Sequence, residues 1–453
     1  MKRKYFVLIS AAMLLVLILS CSAFAYLNSN IGIRINGQSR YFQPPAEILN
    51  NRTMVPIRFI IEDESLKGQV TWVNEMRKVI ISCREKEIEF IIGSREAKVN
   101  GKTYYLDTAP YVHNNRTFVP LRFIAEQLGA VVGWNNWNRE VTIDFNQPAN
   151  RVFAYYYRNS SEFKENADLF TDVAFRWFQT NGSGDLFYEY QDNYDEMLAF
   201  AKSKGIKCHA SVVLMDKTAL HELLSSPQNR ANLVTNLVKK VNNSGYDGVN
   251  IDFEFIPSDD KGLFNTFLSE LKTGLGPNKT LSAAVFARTS SDKWATGYDY
   301  QQIGEISDFV VVMAYDYHYK TSAPGPVAPL WWVKNVVAYM TDIMPPNKIL
   351  LGVPTYGYDW ASGLTTATVT LNKLNTIRQN YQVTEHFDTE SASPYYTYTD
   401  NNGVWHQIWL ENEVSLAAKM KVATDNHLAG ISFWRIGNGF TDLYDLLEKT
   451  QNK

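Results

Sequence analysis

Cysteine and histidine are scarce in this chain of 453 residues, which has three of the first and seven of the second. No Cys/His spacing fits a zinc site, and three thiols do not make a disulfide framework. Cys83 and Cys208 are expected to be two lone thiols. The seven histidines are scattered, and only His318 lies near a motif of interest. Charge of one sign is missing too. Lysine and arginine number 44 against 47 aspartates and glutamates, a net charge of −3. Neither nucleic acid nor an anionic membrane surface is therefore an expected partner. Beyond residue 25 no apolar run approaches the roughly 20 residues that span a bilayer. The one short run, Phe6 to Leu19, follows Lys2, Arg3 and Lys4 and precedes Ala23-Phe24-Ala25. It reads as a secretory signal peptide over residues 1–25. The rival reading is a lipoprotein leader lipidated at Cys21, a signal that Leu19 fits poorly. The protein is expected to be secreted or extracellular, with no other membrane attachment.

What is present is globular composition, 45% hydrophobic and 13% aromatic, enough for two or three domains. Residues 26–147 contain a repeat. Asn50-Asn51-Arg52-Thr53-Met54-Val55-Pro56-Ile57-Arg58-Phe59-Ile60 returns as Asn114-Asn115-Arg116-Thr117-Phe118-Val119-Pro120-Leu121-Arg122-Phe123-Ile124. Asn36-Gly37 and Asn100-Gly101 precede the copies as hairpin turns, and Trp72 and Trp134 come after them. Each unit is expected to be hairpin, short helix, hairpin, with Pro56 and Pro120 in the first helical turn. The repeat resembles the domain named after the N-terminal part of copper amine oxidases. That name implies no copper here, because His113 is the only histidine in the region. The module is either an associating unit for a wall or polymer, or a stalk that displays the C-terminal domain.

After the linker 146–150, apolar strand-like runs alternate with helical patterns for about 300 residues. The runs are Val152–Tyr156, Asp172–Phe178, Lys207–Leu214, Gly248–Phe253, Leu281–Phe286, Phe309–Met313, Ile349–Pro354 and Gly430–Trp434. Eight strands with intervening helices fit an α/β (β/α)8 TIM barrel over residues 148–453. The stretch from Tyr358 to about Glu413 is too long for a simple connection, and is expected to be a small inserted subdomain after the seventh strand.

The fourth run carries the chemistry. In Asp247-Gly248-Val249-Asn250-Ile251-Asp252-Phe253-Glu254, the residues Asn250, Asp252 and Glu254 share one face of a strand. Val249, Ile251 and Phe253 take the other. An amide and two carboxyls on a buried strand cost free energy unless they are used. At the C-terminal end of a barrel strand they open into an active-site mouth.

This segment resembles the D-x-x-D-x-D-x-E strand of glycoside hydrolase family 18. Met313-Ala314-Tyr315-Asp316, Gly352–Trp360 and Gly430–Trp434 come next in the family's barrel order. The middle aspartate of the pattern is Asn250 here, as in a branch with spore-cortex peptidoglycan glucosaminidases. The resemblance implies a substrate-assisted retaining reaction without cofactor or metal. Glu254 would be the acid, Asp252 would hold the substrate's acetamido group, and Tyr315 would bond its oxygen. Trp434 would floor the site. Asp316, Asn250, Asp247, Tyr155 and Tyr358 are candidate substrate-binding residues; Tyr156, Trp360 and Trp409 are equally readable as core. The expected partner is a GlcNAc-containing polysaccharide, peptidoglycan before chitin, met by a monomer. A wall-binding, lectin-like protein without activity is the alternative from another class.

Overall fold

The structure, a computed structural model, describes residues 31–451 apart from 65, 85, 136–138, 146–150 and 189–193. The expected leader, residues 1–25, lies outside the described residues. Among those described, no helix is long and apolar enough to cross a membrane. The chain divides into two compact units between Gln147 and Pro148.

In the first unit the two copies of the repeat build the same parts. Asn36-Gly37 and Asn100-Gly101 have positive φ at both residues, as do Asn50-Asn51 and Asn114-Asn115. That is the conformation of a two-residue type I′ hairpin turn, which Asn and Gly tolerate best. Pro56 and Pro120 close the strands Arg52–Pro56 and Arg116–Pro120 and stand at the N-caps of helices Ile57–Ile61 and Leu121–Gln127. They sit one position earlier than expected, because each proline still serves as the last residue of its strand. The two strands pair antiparallel with Val55 opposite Val119. Ile33, Ile60, Ile81, Phe90, Ile124 and Ile143 share one core with the buried, free Cys83.

The second unit is a closed barrel of eight parallel strands: β1 (Arg151–Tyr156), β2 (Asp172–Thr180), β3 (Lys207–Leu214), β4 (Gly248–Phe253), β5 (Thr280–Phe286), β6 (Phe309–Met313), β7 (Ile349–Pro354) and β8 (Gly430–Trp434). Each strand pairs with the next, and β8 pairs back to β1. Strands buried on both faces read as unbroken apolar runs, such as Phe309-Val310-Val311-Val312-Met313. Alternate side chains part company as the period of two demands. Val249, Ile251 and Phe253 pack outward under helices, Phe253 stacking on Phe267 at 5.6 Å. Phe153, Phe309 and Leu350 fill the interior.

After β7 comes an antiparallel five-stranded sheet whose strands run from Gly357–Ala361 to Trp405–Trp409, with helix Leu371–Asn380 inside it. Gly357 must be glycine, since a Cβ there would meet the carbonyl of Trp409 at 1.8 Å. Just beyond, Lys419 and Glu411 form a buried ion pair at 2.7 Å. Lys419→Met leaves the Glu411 carboxylate without its counter-charge and is expected to cost about 3–5 kcal/mol in urea unfolding. Adding Glu411→Leu should return most of that loss, and no recovery would mean that packing is at stake, not charge.

Candidate active site

The site grows from the C-terminal ends of the barrel strands. Deepest is Asn250 on β4, fully buried. Its Oδ1 accepts from the Tyr155 hydroxyl of β1 at 3.1 Å and from the Ser211 hydroxyl of β3 at 3.3 Å. Its Nδ2 donates to the Ser282 hydroxyl of β5 at 3.0 Å. An amide between three hydroxyl-bearing neighbours is held without needing a charge, which makes its deep burial tolerable. One pleat higher stands Asp252, also buried, whose Oδ1 has no hydrogen-bond partner among the described residues. An orphan carboxylate oxygen costs about 1–3 kcal/mol or more in desolvation, so it marks a place for a donor from outside the protein. Glu254 lies just beyond the strand end, its N–H donating to the Leu214 carbonyl at 3.0 Å.

Burial raises the pKa of the Asp252 carboxyl, and the Arg176 guanidinium opposes the rise. Glu254 is pushed up further, first by burial and then by the Asp252 charge; Arg176 again opposes and Asp316 adds to the rise. Two carboxyls this close share the cost of ionising, so they titrate as a pair. The outer member, Glu254, keeps its proton to the higher pH.

Tyr315 and Asp316 extend β6 on the facing side. Gly352 of β7 makes room there: a Cβ would lie 2.6 Å from the Val312 carbonyl and 3.2 Å from Cε1 of Tyr315. Asp316 has φ +59°, a left-handed conformation that aspartate tolerates. Its carboxylate accepts the Tyr358 hydroxyl at 3.0 Å. Burial raises its pKa, and hydrogen bonds from the Tyr356 and Tyr358 hydroxyls partly offset that. Trp434 ends β8, its ring 5.5 Å from that of Tyr155. Tyr356, Tyr358, Trp360 and Trp409 form one aromatic wall, and Tyr315, Tyr395 and Trp434 pack against it.

Two candidates fall elsewhere. Asp247 sits at the opposite end of β4, where its Oδ2 accepts the Cys208 N–H at 2.9 Å. It secures the bottom of the barrel and does not face the mouth. Tyr156 points outward into the helix layer, ring to ring with Phe163 at 5.3 Å and Phe175 at 5.5 Å. Three residues join the site unannounced. Arg176 lies where the β2–β3 register shifts between Phe175 and Phe178. It shares the inward face of the strand with Ala174, and its guanidinium lies 5.5 Å from the Trp434 ring centroid. Tyr356 shares Asp316 with Tyr358. Phe255, directly after Glu254, has φ +63° and an exposed ring 5.2 Å from Phe286. A bulky residue in that region is strained, and such strain gathers at functional sites. Among the described residues, no group of three or more His, Cys, Asp or Glu is placed to hold a metal ion.

The family model described as glycosyl hydrolases family 18 matches residues 151–439, and that of the copper amine oxidase N-terminal domain matches residues 34–143. The provisionally named sporulation-specific glycosylase YdhD of Bacillus subtilis is 37% identical over 236 residues, 51% of this chain and 56% of that protein. The cortical fragment-lytic enzyme of Bacillus anthracis is 31% identical over 245 residues, 52% of this chain and 55% of that one. The chain thus spans little more than half the length of these curated relatives. Among solved structures, the Bacillus cereus spore cortex-lytic enzyme SleL superposes with a TM-score of 0.62 at 24% identity, covering 68% of this chain and 75% of that one. At that identity the likeness concerns the fold alone.

Proposed function

This chain belongs to glycosyl hydrolases family 18, and from that premise we propose that its barrel cleaves β-1,4 bonds of an N-acetylglucosamine-containing polymer, peptidoglycan before chitin. The observation that carries the reading is the pairing of an orphan, buried Asp252 oxygen with a neighbouring Glu254 whose pKa is raised by burial and by the Asp252 charge. A sugar's 2-acetamido N–H satisfies Asp252. Its carbonyl oxygen then lies ready to attack the anomeric carbon of the same sugar, as in the substrate-assisted route. Glu254 gives its proton to the glycosidic oxygen as that bond breaks. Tyr315 bonds the acetamido oxygen as charge develops on it. Water then opens the cyclic intermediate at the anomeric carbon and returns a proton to Glu254, so configuration is retained. Trp434 offers an apolar floor to the reacting sugar. The names of the Bacillus relatives, sporulation-specific and cortical fragment-lytic, support peptidoglycan and an association with the spore or wall.

Product analysis by mass spectrometry, on peptidoglycan fragments and chitin oligomers in parallel, tests the reading. Faster release from peptidoglycan supports it, faster release from chitin transfers the enzyme to that substrate, and no product from either sinks the enzyme reading.

The pH profile gives a second test. Glu254 must be protonated to act, and its pKa is raised above that of an ordinary glutamate, about 4.3. The alkaline limb of kcat should therefore fall well above that value. Asp252 is the second cause of the rise, so Asp252→Asn should move the limb to lower pH. Arg176 opposes the rise, so Arg176→Gln should move it to higher pH. Limbs that stay fixed in both variants would detach Glu254 from the profile.

A further inference from the structure

The first unit contains a pair of matching grooves. Strands Arg52–Pro56 and Arg116–Pro120 pair with Phe118 opposite Pro56, Val119 opposite Val55 and Pro120 opposite Met54. A shift of 64 residues exchanges these pairs, so an internal dyad passes through the Val55–Val119 pair. A groove lies on each side of it. In one, of about 600 Å3, the turn segment with Arg52 from the first copy faces Phe123 and Trp134 of the second. In the other, of about 300 Å3, the turn segment with Arg116 from the second copy faces Phe59 and Trp72 of the first. Each groove therefore joins a turn arginine of one copy to the aromatics of the other, whose own arginine, Arg122 or Arg58, is paired with Glu126 or Glu62. Both volumes lie in the range of small-ligand sites, about 300–1,000 Å3.

The chemistry of each groove is an indole beside a guanidinium. Trp72 is 39% exposed, although an indole gains by burial. The Arg116 guanidinium lies 5.7 Å from the Phe59 ring centroid and makes no ion pair among the described residues. Indole faces suit the apolar faces of sugar rings, and a guanidinium binds a carboxylate through two parallel N–H donors. Arg52 differs, since Asp107 already neutralises it at 2.5 Å.

We propose that these grooves are two carbohydrate-binding sites for a carboxylate-bearing amino-sugar strand. A sugar ring stacks on Trp72 or Trp134, and the Arg116 site supplies the contact to the strand's carboxylate. The choice of polymer rests on the peptidoglycan reading of the barrel; the existence of the sites does not.

The full chain carrying Glu254→Gln, so that polymer is not consumed, should be sedimented with purified peptidoglycan and with chitin particles. Trp72→Ala and Trp134→Ala are each expected to weaken retention on peptidoglycan, and together to lower it by about tenfold or more through lost avidity. Arg116→Glu should weaken peptidoglycan binding and leave chitin binding unchanged, because chitin carries no carboxylate. In chains with Glu254 intact, the same substitutions should leave hydrolysis of soluble oligosaccharides at the parental rate. Failure of the catalytic reading would show as no hydrolysis in any chain and would leave the sedimentation result readable. A double tryptophan variant that melts cooperatively and is retained as well as its parent would overturn the proposal. Equal loss of both polymers in Arg116→Glu would overturn the carboxylate contact.

Discussion

Glu254→Gln is expected to lower turnover by about 10²–10⁴-fold, the usual worth of a positioned general acid. The substitution keeps the shape of the side chain and removes only the acidic proton. The backbone at this position is already tied, since the Glu254 N–H bonds to the Leu214 carbonyl. The melting transition should hardly move. Reading it in the same sample that is assayed tells loss of fold and loss of acid apart. Substrate affinity should survive, because Trp434, Tyr315 and Asp252 are untouched. Near-parental turnover in a correctly folded variant would sink the assignment of Glu254 as the acid.

The next largest effect concerns the substrate. If its acetamide is the nucleophile, a strand bearing free amines in place of acetamides should not be cut at those sugars. The amine has no carbonyl oxygen to attack the anomeric carbon. A thiazoline that mimics the cyclised intermediate should bind more tightly than the sugar it replaces, by about 10²-fold or more if it captures much of the transition-state geometry. Equal cleavage of acetylated and de-acetylated strands would argue for an enzyme carboxylate as nucleophile instead.

Much of the barrel was legible because its strands are buried on both faces. Continuous apolar runs of five or six residues between helical patterns leave few other readings. The polar face of β4 was legible for the opposite reason, since Asn250 and Asp252 interrupt such a run with a period of two. Asp247 misled because it is contiguous with the motif. Five residues of extended chain carry it about 16 Å from Asp252, to the other end of the barrel. Arg176 shares the inward face of β2 with Ala174, but a single charge among Phe175, Trp177 and Phe178 belongs to no motif that would announce it. The strained conformation of Phe255 arises from the chain leaving β4 at the mouth, a tertiary demand with no local sequence signal. The pair of grooves in the first unit was likewise out of reach. Each is assembled across copies, and the repeat alone does not say which copy meets which.

The dyad through Val55 and Val119 also bears on direction. A glycan strand has unlike ends, one reducing and one not. A straight strand that met both grooves in equivalent fashion would have to be mapped onto itself by the dyad, and that operation turns it end for end. One strand therefore cannot satisfy both grooves in the same sense. Filling both would engage two strands of opposite direction, or one that doubles back. Such a module would grip a meshwork at its crossings, and would slide poorly along any single fibre.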